Sequence, residues 1–279
     1  EARMDGRAIR ETTVPATIED AVLARFGRLS PEAQTVAQAG AVIGRCFVPE
    51  VLAGIMDLPL AALDAPLLEL VDQAFLEPPG ARGLYDYRHQ LLRDALYRST
   101  PSGVRRRLHA RAGEFGAQLE GASEIHASVH FERAGLRAEA FRTALSGARS
   151  AVPLSAHGEA FELYRRAIDN MPATLDLVEQ GALFEAYGVE AGAVELHEAA
   201  EEAARRARDC YLKAGRPIDA ARQLAALAGI ARREARPIQV RMELVAQGLA
   251  ELDPLPWTPD REIARSGLLA EQAFAQMDA

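Results

Sequence analysis

The chain has 279 residues, 49% of them hydrophobic, enough for two domains with cores of their own. Its 40 acidic residues outnumber its 32 basic ones, all arginine except Lys213, for a formal net charge of −8. That balance argues against nucleic-acid binding, Cys46 and Cys210 fit no metal or redox spacing, and no apolar run approaches the roughly 20 residues of a membrane-spanning helix.

Residues 1–13 are polar and aperiodic and read as a linker from a domain upstream. Thr17 is placed to cap a helix bearing Ile18, Val22, Leu23 and Phe26. Ser30-Pro31-Glu32 has the cap residue and first-position proline of a second helix, which carries Val36, Ala37, Ala41 and Ile43 as far as Gly44. Helices at about 48–56 and 59–74 follow, the latter with Leu60, Leu63, Leu67, Leu68 and Val71. Phe75-Leu76-Glu77 predicts a short strand, Pro78-Pro79-Gly80 and Gly83 a turn, and Leu84 to Tyr87 the return strand. A helix over 89–99 closes the unit, and Pro101-Ser102-Gly103 ends it. Helices followed by a small hairpin is the order of a winged helix, expected over residues 14–102.

From 103 to 279 only helices are expected, over 104–119, 124–134, 137–151, 156–170, 174–190, 191–213, 217–233, 236–251 and 259–277. Counting a 34-residue unit from Phe141 places Ala144, Ala148, Ala151, Ala160, Tyr164, Ala167 and Pro172 at positions 4, 8, 11, 20, 24, 27 and 32. A count from Glu201 places Ala204, Tyr211, Ala220, Leu224 and Leu227 at 4, 11, 20, 24 and 27. Small residues at such positions let paired helices approach closely. The pattern resembles a degenerate tetratricopeptide array without its signature Trp or Leu-Gly pair. The expected fold is therefore mainly α: a winged-helix domain, 14–102, followed by an α-solenoid of tetratricopeptide-like helix hairpins, 103–279.

Several chemistries lack the residues they need. There is no G-x-x-x-x-G-K-[ST] loop, since Lys213 follows Cys-Tyr-Leu and precedes Ala-Gly, so no ATP hydrolysis is expected of these residues alone. The helix at 59–74, which would enter a DNA groove, carries Asp64, Glu69 and Asp72 and no cation. Phosphate contacts need cations, so the unit is expected to pack on protein. Arg105-Arg106-Arg107 and Arg111 read as a solvated or salt-bridged helix face. His126 and His130 are four apart, but Ala-Ser-Val between them supplies no carboxylate, and no metal site is expected. No nucleophile and base share a motif, so no catalytic residue is expected.

The stretch Tyr85-Asp86-Tyr87-Arg88-His89-Gln90-Leu91-Leu92-Arg93 is the most specific. It runs from a strand end into a helix start, where unpaired N–H groups and a partial positive charge suit a phosphate. His89 and Arg93, four apart, would share one helix face. Arg88-His89-Gln90 is similar to the Met-His-Asp motif in the winged-helix domains of signalling ATPases, with Arg88 in place of Met and Gln90 in place of Asp. Val14-Pro15-Ala16-Thr17, Ala21 to Phe26, Leu29 to Ala33, Ala41 to Phe47 and Arg105 to His109 together resemble the segment after the ATPase core in large bacterial LuxR-type regulators. The resemblance implies a P-loop ATPase domain upstream, with ATP or ADP bound there and no cofactor in this chain. It implies that His89, with Arg93, contacts the ADP phosphate only when that domain is present. It further implies an effector or partner protein on the helical repeats, effector-driven oligomers, a cytoplasmic location, and no direct contact with nucleic acid or membrane. Three alternatives stand beside it: a protein-binding scaffold with no nucleotide role, a DNA-binding winged helix, and a His89 that only caps the strand–helix junction.

Overall fold

A computed structural model describes residues 17–80, 83–118 and 123–278. The proposed linker, residues 1–13, lies outside them. The chain divides into two units, one ending at Phe115 and the other starting at Gly116. The expected boundary at 102/103 therefore falls before a helix that belongs mostly with the first unit.

In the first unit, α1 (Ile18–Phe26) begins at a capping box: the Thr17 hydroxyl accepts from the Asp20 N–H while the Asp20 carboxylate accepts from the Thr17 N–H. Ser30 caps α2 (Pro31–Ile43), whose first residue is the proline that the sequence marks. Then come β1 (Cys46–Phe47), α3 (Pro49–Met56), a 3₁₀ turn at Leu60–Leu63, α4 (Asp64–Asp72), β2 (Tyr85–Asp86), α5 (Gln90–Ser99) and α6 (Ser102–Ala117). The helix expected over 59–74 is thus two pieces. Pro66 has no N–H to offer the carbonyl of Ala62, so the regular helix starts only at Asp64.

The hairpin forms, but its pairing differs from expectation. Leu76 bridges Tyr87, and the Glu77 N–H donates to the Asp86 carbonyl at 2.8 Å. The ladder itself joins β2 to β1, antiparallel, with Cys46 opposite Asp86 and Phe47 opposite Tyr85. Phe47, Leu52, Leu63, Leu70, Phe75, Leu76, Tyr87, Leu92 and Leu96 meet in one buried cluster. Gly40 is needed where this sheet meets α2: a Cβ there would stand 2.7 Å from the Phe47 ring. Gly54 likewise leaves room for the Phe115 ring, which seats α6 on α3.

The second unit is a run of helices: α7 (Ser123–Ala134), α8 (Arg137–Ala151), α9 (His157–Asp169), α10 (Leu177–Ala193), α11 (His197–Lys213), α12 (Pro217–Arg233), α13 (Ile238–Leu252) and α14 (Pro259–Met277). Each packs on its sequence neighbour, which makes an α-solenoid of tetratricopeptide-like hairpins. The helices α8, α10 and α12 begin at 137, 177 and 217, so from α8 onward equivalent helices recur every 40 residues, whereas α7 and α9, at 123 and 157, are 34 apart. A count started at Phe141 on α8 and another at Glu201 on α11 therefore begin on helices of opposite role in the hairpin. Six of the seven residues singled out by the first count are nonetheless core: Ala144, Ala148, Ala151, Ala160, Tyr164 and Ala167 share one buried cluster with Leu163 and Leu183, while Pro172 is only half-buried, in the turn before α10.

The turns repeat as well. Gly135, Ser155, Glu195, Gly215 and Ala235 all take positive φ. The next residue's N–H then reaches back five positions: Leu136 to Phe131, Ala156 to Ala151, Leu196 to Ala191, Arg216 to Tyr211 and Arg236 to Ala231, at 2.8–3.2 Å. This left-handed C-cap pairs carbonyls that each helix end would otherwise leave open. Among the described residues no single helix is long and apolar enough to cross a membrane.

Candidate functional site

His89 is the N-cap of α5 rather than its first helical residue, with φ −141° and ψ 139°. Its ring is exposed and makes no capping hydrogen bond, so the first-turn N–H groups of α5 have no side-chain cap. Such a start favours an anion. Arg93 faces elsewhere. Its Nε donates to the Ala41 carbonyl at 2.9 Å, its Nη1 pairs with Asp94 at 3.0 Å, and the guanidinium lies over the Tyr97 ring at 5.1 Å. Arg93 is thus already employed in tying α5 to α2, and the structure does not bring its head group to the His89 ring. Arg88, the other cation here, pairs at the surface with Glu77 at 3.0 Å.

The junction is held from below by Tyr87. Its hydroxyl donates to the Ala37 carbonyl, and complete burial pushes the phenol's pKa far up. The outward side of α4 presents Asp64, Ala65, Leu68 and Asp72, with Leu68 62% exposed. Glu69 is turned inward to the cap of α2: both the hydroxyl and the N–H of Ser30 donate to it, and these bonds hold its carboxyl below the usual range. A face of carboxylates and apolar groups suits protein and repels phosphate.

Other candidates resolve into structural roles. Arg105 donates to the carbonyls of Tyr97 and Arg98 and lies over the Tyr97 ring, and Arg111 donates to the Ile55 carbonyl. Half of the basic run therefore braces α6. Among the described residues no three histidine, cysteine or carboxylate groups gather as metal ligands, His126 and His130 included. His109 is buried, with Nε2 2.9 Å from the Tyr97 hydroxyl. Burial raises the pKa of Cys210, which makes it a poor nucleophile.

A groove in the solenoid was not anticipated. It has a volume of about 450 Å³ and runs between α10, α11 and α12, with Glu271 of α14 on one wall. Its surface is mostly small: Gly188, Gly192, Ala200, Ala204 and Gly229 line it. Around these stand Glu185, Arg222, Gln223 and Arg233. The Glu185 carboxylate accepts from Tyr211 at 2.6 Å, while Arg222 pairs with Asp219 at 3.0 Å. The sequence held a signal in the small-residue stripe of α12, but alanine there reads equally as helix packing.

No protein-family model matches this chain, and no curated protein does. A solved structure resembles it. That structure is a signal transduction ATPase with numerous domains, with a tetratricopeptide repeat sensor, from Pyrococcus horikoshii. Sequence identity is 11% and the TM-score 0.40. The likeness covers 96% of this chain and 52% of that one, so the chain spans about half the length of that structure.

Proposed function

We propose that this chain is the regulatory and sensor part of a cytoplasmic bacterial signalling ATPase that controls transcription. The first unit is read as a winged helix that docks on an ATPase domain upstream, and the second as a solenoid that binds an effector or partner protein. The chain itself is no enzyme; ATP and ADP belong to the upstream domain. One observation carries the reading: His89 is an exposed imidazole without a capping bond, at the uncapped start of α5. A helix start of that kind, projecting from a strand junction, suits a phosphate supplied by another domain. Arg93 then serves by holding α5 on α2. Effector binding on the solenoid favours the open ATP state over the ADP-latched one, which requires different effector affinity in the two states.

The test is ADP release from the chain expressed together with its natural upstream region. His89→Ala is expected to speed release roughly tenfold, the effect of about 1.4 kcal/mol of lost phosphate contact. Unchanged release and unchanged activation would sink the latch. The full engagement of Arg93 inside the fold favours a second reading, a scaffold whose junction is purely structural, and that outcome would support it.

A further inference from the structure

The outer side of α14 is apolar and uncovered. Every exposed residue of this helix from Ile263 to Met277 is uncharged, in a chain of which 26% is charged. Ile263 is 64% exposed, Phe274 44% and Met277 82%, and Leu269 is exposed beside them. A solvated helix face ordinarily carries charge, and a contiguous apolar one marks a contact. The inner side of the helix is already satisfied, since Ala264 and Leu268 are buried with Ala221 and Leu224 of α12 and Val245 and Leu252 of α13. The outer side is also held in shape. The Arg232 guanidinium lies over the Phe274 ring, 4.5 Å from its centre, and pairs with Glu271 at 3.2 Å.

We infer that α14 joins two copies of this chain as an antiparallel pair about a two-fold axis at Ala270. The face matches itself when reversed. Ile263, Ser266, Ala270, Phe274 and Met277 share one side by helical spacing. Laid antiparallel about Ala270, Ile263 of each copy falls opposite Met277 of the other, and Phe274 falls opposite Ser266. Residue i meeting j while j meets i is the condition of a two-fold contact. The small side chains at 266, 270 and 273 let the two helices approach closely, and Phe274 fills the hollow at Ser266. Glu262 and Asp278 also come opposite each other, but each already has an arginine, Arg261 at 2.5 Å and Arg241 at 2.8 Å. The face offers roughly 600 Å² per copy, about 1,200 Å² for the pair, the lower end of stable interfaces. The pair is therefore weak, with a dissociation constant on the order of 10 μM. Neither nucleotide nor effector enters this contact, so the inference stands apart from the reading of His89.

The experiment is sedimentation equilibrium of the whole chain at concentrations from about 1 to about 200 μM, a range that brackets the expected constant. A monomer–dimer equilibrium is expected. Phe274→Glu should weaken it at least tenfold. Ala270→Glu, at an exposed position on the axis, should do the same and guards against a folding defect in the first variant. Leu212→Glu, on the comparably exposed leucine of α11, should leave the equilibrium unchanged. The axis is read by cross-linking with oxidised glutathione in a Cys46→Ser background, since Cys46 is exposed. Ala270→Cys should give a disulfide-linked dimer, because each residue 270 meets its own copy within disulfide reach. Ser266→Cys, whose counterpart is Phe274, should not. A monomer at every concentration, a dimer indifferent to both glutamate variants, or equal cross-linking at 266 and 270 would overturn the inference. Loss of the dimer in a longer natural chain would do so too, by showing that α14 is covered by its own chain.

Discussion

Ser155, Glu195 and Ala235 hold φ angles of 55°, 61° and 51°, in turns that Gly135 and Gly215 make at no steric cost. A side chain in this region is strained by about 1–2 kcal/mol, repaid here by the bonds that close each helix end. Ala235→Gly is therefore expected to raise stability by up to about 1 kcal/mol, after the added freedom of the unfolded glycine is subtracted. The thermal midpoint should rise by about 2–4 °C, and a fall would show the turn to be unstrained. Gly135 and Gly215 were legible as helix stops. The other turns were not, because a serine, a glutamate and an alanine carry no local sign of left-handed backbone.

At the scale of elements, Glu201 is the clearest tie between neighbouring helices. Arg236, just before α13, and Arg205, one turn along α11, both donate to it. These bonds, that of Arg236 foremost, lower its pKa from the usual 4.5 to about 2. With the folded value depressed, the unfolded chain takes up the proton first as pH falls. The stabilisation is complete above pH 4.5 and drains away toward pH 2. Urea unfolding at pH 6, 4 and 3 should therefore show a steeper loss for the native chain than for Glu201→Gln, and parallel losses would discard the tie. The short ladder tells the opposite story about legibility. Cys46-Phe47 is too short to show alternation, and only the return of Tyr85 and Asp86 makes it a strand. The cap at Thr17, the start at Ser30-Pro31 and the starts of α12 at Pro217 and α14 at Pro259 were readable, since capping and proline chemistry act within a few residues.

For the whole molecule, charge decides what the surface can meet. Net charge is −8, and the outward side of α4 carries carboxylates, alanine and leucine without a cation. The full chain is expected to leave a 30-base-pair duplex unshifted in a gel at about 0.15 M salt; a salt-dependent shift would restore the DNA-binding reading. The sequence by itself determined that the chain is mainly helical, where most helices start and stop, and that the P-loop motif is missing. Periodicity, caps and motifs are local and need no partner to be read. Only the tertiary structure decided the 40-residue recurrence of equivalent helices from α8 onward, the turning of Arg93 onto the Ala41 carbonyl, and which side of α14 is left uncovered. Those depend on which helices lie side by side, and a small apolar residue looks the same in sequence whether it faces a neighbouring helix or an open groove.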